Sequence, residues 1–249
     1  IRYYQEAYSL ALDKVVAAKG AFPESKEKRI MKYEMLPINN PSWKSVMVTR
    51  HLPEALKGLE TLSKNLWWCW NENAKALFKS VDAEVWHNSG HNPMAVLDVV
   101  TLKRFQALSK DASFMAQYES VMKDFNDYMS LKKDRKDPSV AYFCMEYGLD
   151  SSLSIYSGGL GILAGDYLKE TSDMNVNLVA VGLLYRYGYF TQVLSAQGDQ
   201  VARYDAQNFT KIPAEPVMDK DGNWLTTSVA FPGRNLTARI WKVAVGRTD

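Results

Sequence analysis

The sequence predicts an α/β protein: a helical N-terminal region that leads into the start of a Rossmann-like parallel sheet. Three observations carry this. Apolar residues recur at three- and four-residue steps along most of the chain up to Pro138. Two short, continuous apolar runs then follow, Val140–Phe143 and Leu178–Tyr185, and they bracket a helix-like segment, Leu163–Met174. Between the first run and that helix lies Ser157–Gly158–Gly159–Leu160–Gly161, at the carboxyl end of the first strand, where open α/β sheets bind ligands.

Each element has its own signal. Ile1–Lys19 places Tyr4, Ala7, Tyr8, Ala11 and Val15 on one helical face, and Gly20 stops it. Ala21–Pro41 contains Pro23, Pro37 and Pro41 and reads as a linker; Trp43–Val48 is a short strand. Pro53 opens a helix with Leu56, Leu59, Leu62 and Leu66 on its apolar face, which runs on into Trp67–Trp68–Cys69–Trp70. Asn73–Phe78 continues it or begins another. Asn92 and Pro93 have the N-cap and first-turn signature of a helix start, with Met94–Leu97 and Leu102–Leu108 as short helices. Asp111 caps a long helix to about Leu131, whose buried face is Met115, Tyr118, Met122, Phe125 and Met129. The two apolar runs of the βαβ unit are expected to be strands buried on both sides. Beyond Gly188 the pattern is β-rich: Tyr189–Val193, Trp224–Phe231 and Leu236–Val245, with Lys220–Asp221–Gly222–Asn223 as a hairpin turn.

Composition excludes several classes. With 47% hydrophobic and 23% charged residues, the 249-residue chain is ordinary globular protein. A net charge of +2 supplies no field for nucleic acid or an anionic membrane, and the run Lys132–Asp137 is mixed in sign. No apolar stretch is long enough to span a membrane. Cys69 and Cys144 lie far apart in apolar runs. They suit buried thiols in a reducing cytoplasm better than a disulfide framework. The chain opens on Ile1 inside a helical pattern and stops just after a strand-like run, so a piece of a longer polypeptide is expected.

A glycine cluster between strand and helix lets backbone N–H groups approach an anion where the helix dipole also favours negative charge. The bland alternative is a tight turn, and spacing alone does not choose between them. The surrounding motifs do. Val140–Ala141–Tyr142–Phe143–Cys144–Met145–Glu146–Tyr147–Gly148–Leu149, Ile155–Gly161 and Gly182–Gln192 together resemble the α-glucan phosphorylases. Ser157 before the double glycine and Ala164–Gly165–Asp166 after it are similar to the short bacterial and archaeal branch. Asn65–Asn71 and Gly90–Pro93 resemble the helical N-terminal extension of that branch.

The resemblance, over about Trp43 to Asp249, implies phosphorolysis of a terminal α-1,4-glucosidic bond to glucose 1-phosphate. It also implies two Rossmann-like domains facing across a cleft, and pyridoxal phosphate acting through its phosphate. Gly158, Gly159, Leu160 and Gly161 would bind phosphate and sugar through their N–H groups, with Gly158 and Gly159 near the cofactor phosphate. The lysine that attaches the cofactor belongs to the family's C-terminal domain and is expected to be absent from this chain, which would leave the piece silent alone. Three regions follow: 1–35, a helix and linker ending a preceding domain; 36–138, the helical region; and 139–249, the first part of the Rossmann-like domain with its β-rich insertion. The implied partners are α-glucan or maltooligosaccharide, phosphate and the absent C-terminal domain; oligomeric state stays open.

Other residues have competing readings. Trp67, Trp68 and Trp70 suit a sugar platform but better suit a core. His87 and His91 have ligand spacing but lack a third ligand, so no metal is expected. Glu146 is the candidate catalytic carboxylate: it orients the loop or cofactor groups, or is a structural acid bonded to the backbone. Asp166, placed in the first turn of the helix, complements its dipole. Arg186 holds a phosphate or pairs with an acid. Two rival functions remain: a glycogen or starch synthase, which generally carries a Lys-Thr or Lys-Val pair where Tyr156–Ser157 stands, and a noncatalytic glucan-binding module.

Overall fold

The computed structural model describes residues 52–131 and 139–248. The expectations for Ile1–Lys19, Ala21–Pro41, Trp43–Val48 and the charge run at 132–137 lie outside the described residues.

A 3₁₀ turn, Glu54–Leu56, leads into α1 (Gly58–Lys64), with Leu56, Leu59 and Leu62 fully buried. The helix does not run on into the tryptophans. Asn65 is extended (φ −104°, ψ 118°) and starts a separate 3₁₀ helix, Leu66–Trp70. Its side chain accepts the Trp67 N–H at 2.9 Å and exchanges two bonds with the Gly246 backbone, at 2.8 and 2.9 Å. An asparagine so engaged favours a cap over a helix interior.

Four short helices and one long one follow: α2 (Glu72–Val81), α3 (Ala83–Asn88), α4 (Pro93–Val99), α5 (Leu102–Leu108) and α6 (Ala112–Ser130). Asn71, Asp82, Asn92, Thr101 and Asp111 each cap one by accepting a first-turn N–H. The buried face of α6 is Phe114, Tyr118, Val121 and Phe125. Met115 and Met122 only edge it, and Met129 is exposed, so the expected stripe is offset by about one residue. Flexible methionines fill the margins while the aromatic rings take the centre.

The tryptophans are core. Trp67 meets Phe125 and Tyr128 at ring separations of 5.4 and 5.7 Å; Trp68 lies edge-on to Phe78 and Trp86. Both are buried, which removes the sugar-platform reading for them.

The βαβ unit is present: β1 (Val140–Phe143), α7 (Gly159–Asp173) and β2 (Leu178–Val181), with the strands parallel and Val140 opposite Leu178. Three expectations need correction. The helix begins at Gly159, inside the glycine cluster, and not at Leu163. The second strand ends at Val181, because the sheet partner β1 ends opposite it. The strands are not buried on both sides. Tyr142 meets Tyr167 of α7 on one face, but Ala141, Phe143, Val179 and Val181 on the other are exposed. Among the described residues nothing covers that face.

The β-rich part forms three antiparallel pairs: β3 (Thr191–Leu194) with β4 (Gln200–Arg203), β5 (Glu215–Pro216) with β8 (Trp241–Lys242), and β6 (Thr226–Phe231) with β7 (Arg234–Arg239). The expected single strand Leu236–Val245 is thus divided between β7 and β8. A tight turn at Gly233 (φ 77°) joins β6 to β7; the predicted turn at Gly222 (φ 79°) brings Met218 opposite Trp224. The chain then returns to the helical region, where Leu66 N–H donates to the Ala244 carbonyl at 2.8 Å.

Candidate functional site

The site is assembled at the carboxyl ends of β1 and β2. Cys144 N–H donates to the Val181 carbonyl at 3.1 Å and so extends the pairing by one bond. The Tyr147 hydroxyl lies 2.9 Å from the Tyr142 carbonyl and 3.2 Å from that of Val181, tying both strand ends to the following loop. Burial pushes the Tyr147 hydroxyl up to about 12. Tyr185, beyond β2, donates to the Met145 carbonyl at 3.0 Å.

Glu146 sits in this loop, half-buried. Its carboxylate accepts the Ser157 N–H at 2.7 Å and lies 3.3 Å from the Ser157 hydroxyl. The acid thus bonds to backbone, and that backbone is the approach to the glycine cluster. Gly158 is the extended N-cap of α7 (φ −153°), and its carbonyl accepts the Ile162 N–H at 3.2 Å. The N–H groups of Gly159, Leu160 and Gly161 therefore precede the first intrahelical donor, the Ile162 N–H.

The glycines sort into two kinds. Around Gly158 and Gly159 nothing lies within 4 Å of where a Cβ would stand. At Gly161 a Cβ would stand 2.6 Å from the Tyr156 Cβ and 3.2 Å from the Glu146 carboxyl carbon. At Gly165 it would overlap the Gly148 carbonyl oxygen. Gly148 N–H donates to the Gly161 carbonyl at 2.6 Å, so α7 lies directly against the loop that carries Glu146. Gly161 and Gly165 serve the packing of the helix, and Gly158 and Gly159 leave its N-terminus open.

Other predicted residues fall elsewhere. Asp166 lies in the second turn of α7, eight positions past the cap, and its side chain is exposed 3.8 Å from Lys169; this ends the first-turn dipole reading. The Arg186 guanidinium lies over the Tyr187 ring at 5.9 Å. His87 closes α3 and His91 adopts φ 65° beside the Trp86 ring. Among the described residues no three potential ligands gather for a metal. Cys69 is buried, and burial pushes its thiol up to about 12; Cys144 is half-buried, not enclosed.

Gln207 has no signal in the sequence. Its amide accepts the Ser154 N–H at 2.9 Å and donates to the Tyr185 carbonyl at 2.6 Å, while its own N–H donates to the Arg186 carbonyl at 2.8 Å. It joins the two loops at the strand ends. Gly148 and Gly165 stand within the quoted motifs, but only their contact explains them.

Residues 52–153 match the family described as a protein of unknown function (DUF3417). The chain is 40% identical to the maltodextrin phosphorylase of Thermococcus litoralis over 203 residues, 79% of this chain and 24% of the relative. It is 41% identical to a glycogen phosphorylase of Mycobacterium tuberculosis over 214 residues, 80% of this chain and 25% of the relative. It is 38% identical to the glycogen phosphorylase of Aquifex aeolicus over 196 residues, 77% of this chain and 28% of the relative. The chain thus spans about a quarter of the length of the curated relatives it matches. Over about four-fifths of its length it is similar to a segment of the maltodextrin and glycogen phosphorylases, the family its motifs resemble.

Proposed function

We propose that this chain is the glycine-loop segment of an α-1,4-glucan phosphorylase. The whole protein would convert glucan and phosphate to glucose 1-phosphate in the cytoplasm. Residues 1–35 would end a preceding domain, 36–138 would form its helical region, and 139–249 would begin the first of two Rossmann-like domains.

One observation carries the reading: Gly158 and Gly159 are open where Gly161 and Gly165 are pressed against their own chain. A turn that served packing alone would not need the open pair. The N–H groups of Gly159, Leu160 and Gly161 and the helix dipole suit an anion, and fixed dipoles need no reorganisation as charge shifts during reaction. Glu146 sets the loop by gripping Ser157. Pyridoxal phosphate, when bound, would supply a phosphate able to donate or relay a proton, and the open side of Gly158 and Gly159 fits its approach. The uncovered apolar face of β1 and β2 is consistent with a further layer of helices packing there, since parallel strands are normally covered on both faces.

The test is an assay of the longer polypeptide with maltodextrin, phosphate and pyridoxal phosphate. Glucose 1-phosphate is the expected product, and its absence from folded, cofactor-loaded protein would overturn the reading. The 249-residue chain alone is expected to form none; product there would overturn the assignment of catalysis to residues outside it.

A further inference from the structure

We propose that Tyr189, Phe190 and Tyr204 form a landing strip for a glucan chain next to the glycine loop. The proposal rests on the phosphorylase reading and names a ligand surface outside the glycine cluster. Tyr189 and Phe190 have ring centroids 4.6 Å apart, and Phe190 and Tyr204 6.1 Å apart. Tyr189 is 62% exposed and Tyr204 65% exposed. Single exposed apolar residues are ordinary, but contiguous rings left in water mark a surface that something covers.

The chemistry of the strip selects the occupant. A pyranose offers apolar C–H faces rimmed by hydroxyls, which matches rings that carry a polar handle. Nearby charge is largely spent internally: Arg203 pairs with Asp205 at 2.9 Å, and Arg186 lies over the Tyr187 ring. A neutral, hydroxyl-rich polymer fits this better than an anionic one. The relatives named for maltodextrin and glycogen point to α-linked glucose.

Position argues the same way. Tyr185, four residues before Tyr189, donates to the Met145 carbonyl beside Glu146. Gly188 lies so close to Ser154 that a Cβ would stand 2.6 Å from the Ser154 Cβ. Gln207, three residues after Tyr204, bonds both to Ser154 and to the Tyr185 carbonyl. The strip is thereby fastened to the loop that leads into Gly158. If its only role were to staple β3 to β4, the rings would bury each other, yet most of Tyr189 and Tyr204 stays in water.

Calorimetric titration of the chain with maltoheptaose, without phosphate or cofactor, tests this. Wild type is expected to bind. Tyr189→Ala and Tyr204→Ala are each expected to weaken binding by about tenfold, the usual scale for one aromatic contact. Tyr204→Phe keeps the ring and is expected to retain affinity. Both alanine positions are largely exposed, so unchanged circular dichroism and melting temperature should confirm folding. No binding by wild type, or equal affinity in wild type and both alanine variants, would overturn the strip. In the longer polypeptide the same variants should raise KM for maltoheptaose and leave KM for phosphate unchanged. Glucose 1-phosphate formed with an unaltered glucan KM would overturn the strip and spare the phosphorylase reading. Ring-dependent binding without phosphorolysis would do the reverse.

Discussion

The Glu146 carboxylate accepts the Ser157 N–H at 2.7 Å across eleven residues and closes the loop between β1 and the glycine helix. Replacing it by alanine orphans that donor. Glu146→Ala is expected to cost about 1–2 kcal/mol and to speed amide exchange at Ser157 and Gly158. Glu146→Gln keeps an acceptor and should lose less. Unchanged exchange at Ser157 in the alanine variant would show that the bond does not order the loop.

The two kinds of glycine should respond in opposite ways. Gly165→Ala drives a methyl into the Gly148 carbonyl and is expected to destabilise by about 1–3 kcal/mol or more. Gly159→Ala meets nothing within 4 Å in a helical first turn, so stability should rise by about 0.5–1 kcal/mol. Its cost should appear as weaker phosphate binding in the longer polypeptide. Urea unfolding compares the first pair of effects and KM for phosphate reads the second.

Trp68 separates core from sugar platform. The ring is buried, and its Nε1 has no hydrogen-bond partner among the described residues. Truncation to alanine should cost about 3–5 kcal/mol. Trp68→Phe keeps most of the packing and removes the orphaned donor, so it should stay folded. Titration with maltoheptaose is then expected to match wild type; weaker binding by the folded variant would restore the platform reading.

Alkali should loosen the fold through two buried groups, Cys69 and Tyr147, and the half-buried Tyr128. Burial raises Cys69 from 9.0, and Tyr128 and Tyr147 from 10.0, each to about 12. The unfolded chain therefore loses these protons first as pH rises. Their contribution is complete below about pH 9 and is lost between there and about pH 12. The urea midpoint should fall over that window. A thiol reagent at mildly alkaline pH should modify Cys144 before the buried Cys69; simultaneous reaction would contradict the burial.

Arg247 caps the far end of the glycine helix. Its guanidinium donates to the carbonyls of Ser172 (2.9 Å), Asp173 (2.8 Å) and Tyr128 (3.1 Å) and lies 3.9 Å over the Tyr128 ring. Charge and geometry both suit a helix C-terminus. Arg247→Met should cost about 3 kcal/mol, and Arg247→Lys should not restore it, because an ammonium cannot reproduce the three-way fork. Equal unfolding midpoints for lysine and arginine would contradict this.

Local chemistry was readable. Asn92 and Asp111 cap helices because the acceptor and the N–H groups it serves lie within three residues. The βαβ unit and its glycine cluster were readable for a similar reason, since apolar runs and glycines are short-range signals. α3 carries no periodic signal, because its six residues are too few to show a period. The break at Asn65 is only partly local: its side chain caps the Trp67 N–H two residues on, but the Gly246 backbone that also engages its amide is 181 residues away. Asp166 was misplaced because the helix starts four residues earlier than its apolar pattern, and glycines contribute nothing to such a pattern.

The sequence by itself determined the order of helices, βαβ unit and β-rich part, and the motifs that tie the chain to its relatives. Only the tertiary structure decided that Gly158 and Gly159 face open space while Gly161 and Gly165 face their own chain. It alone joined Gln207 to the loop before the cluster and left Tyr189 and Tyr204 in water. Caps and periods are settled by neighbours a few bonds away. Which side of a glycine is free depends on segments that folding brings from elsewhere, and a linear pattern does not encode that distance.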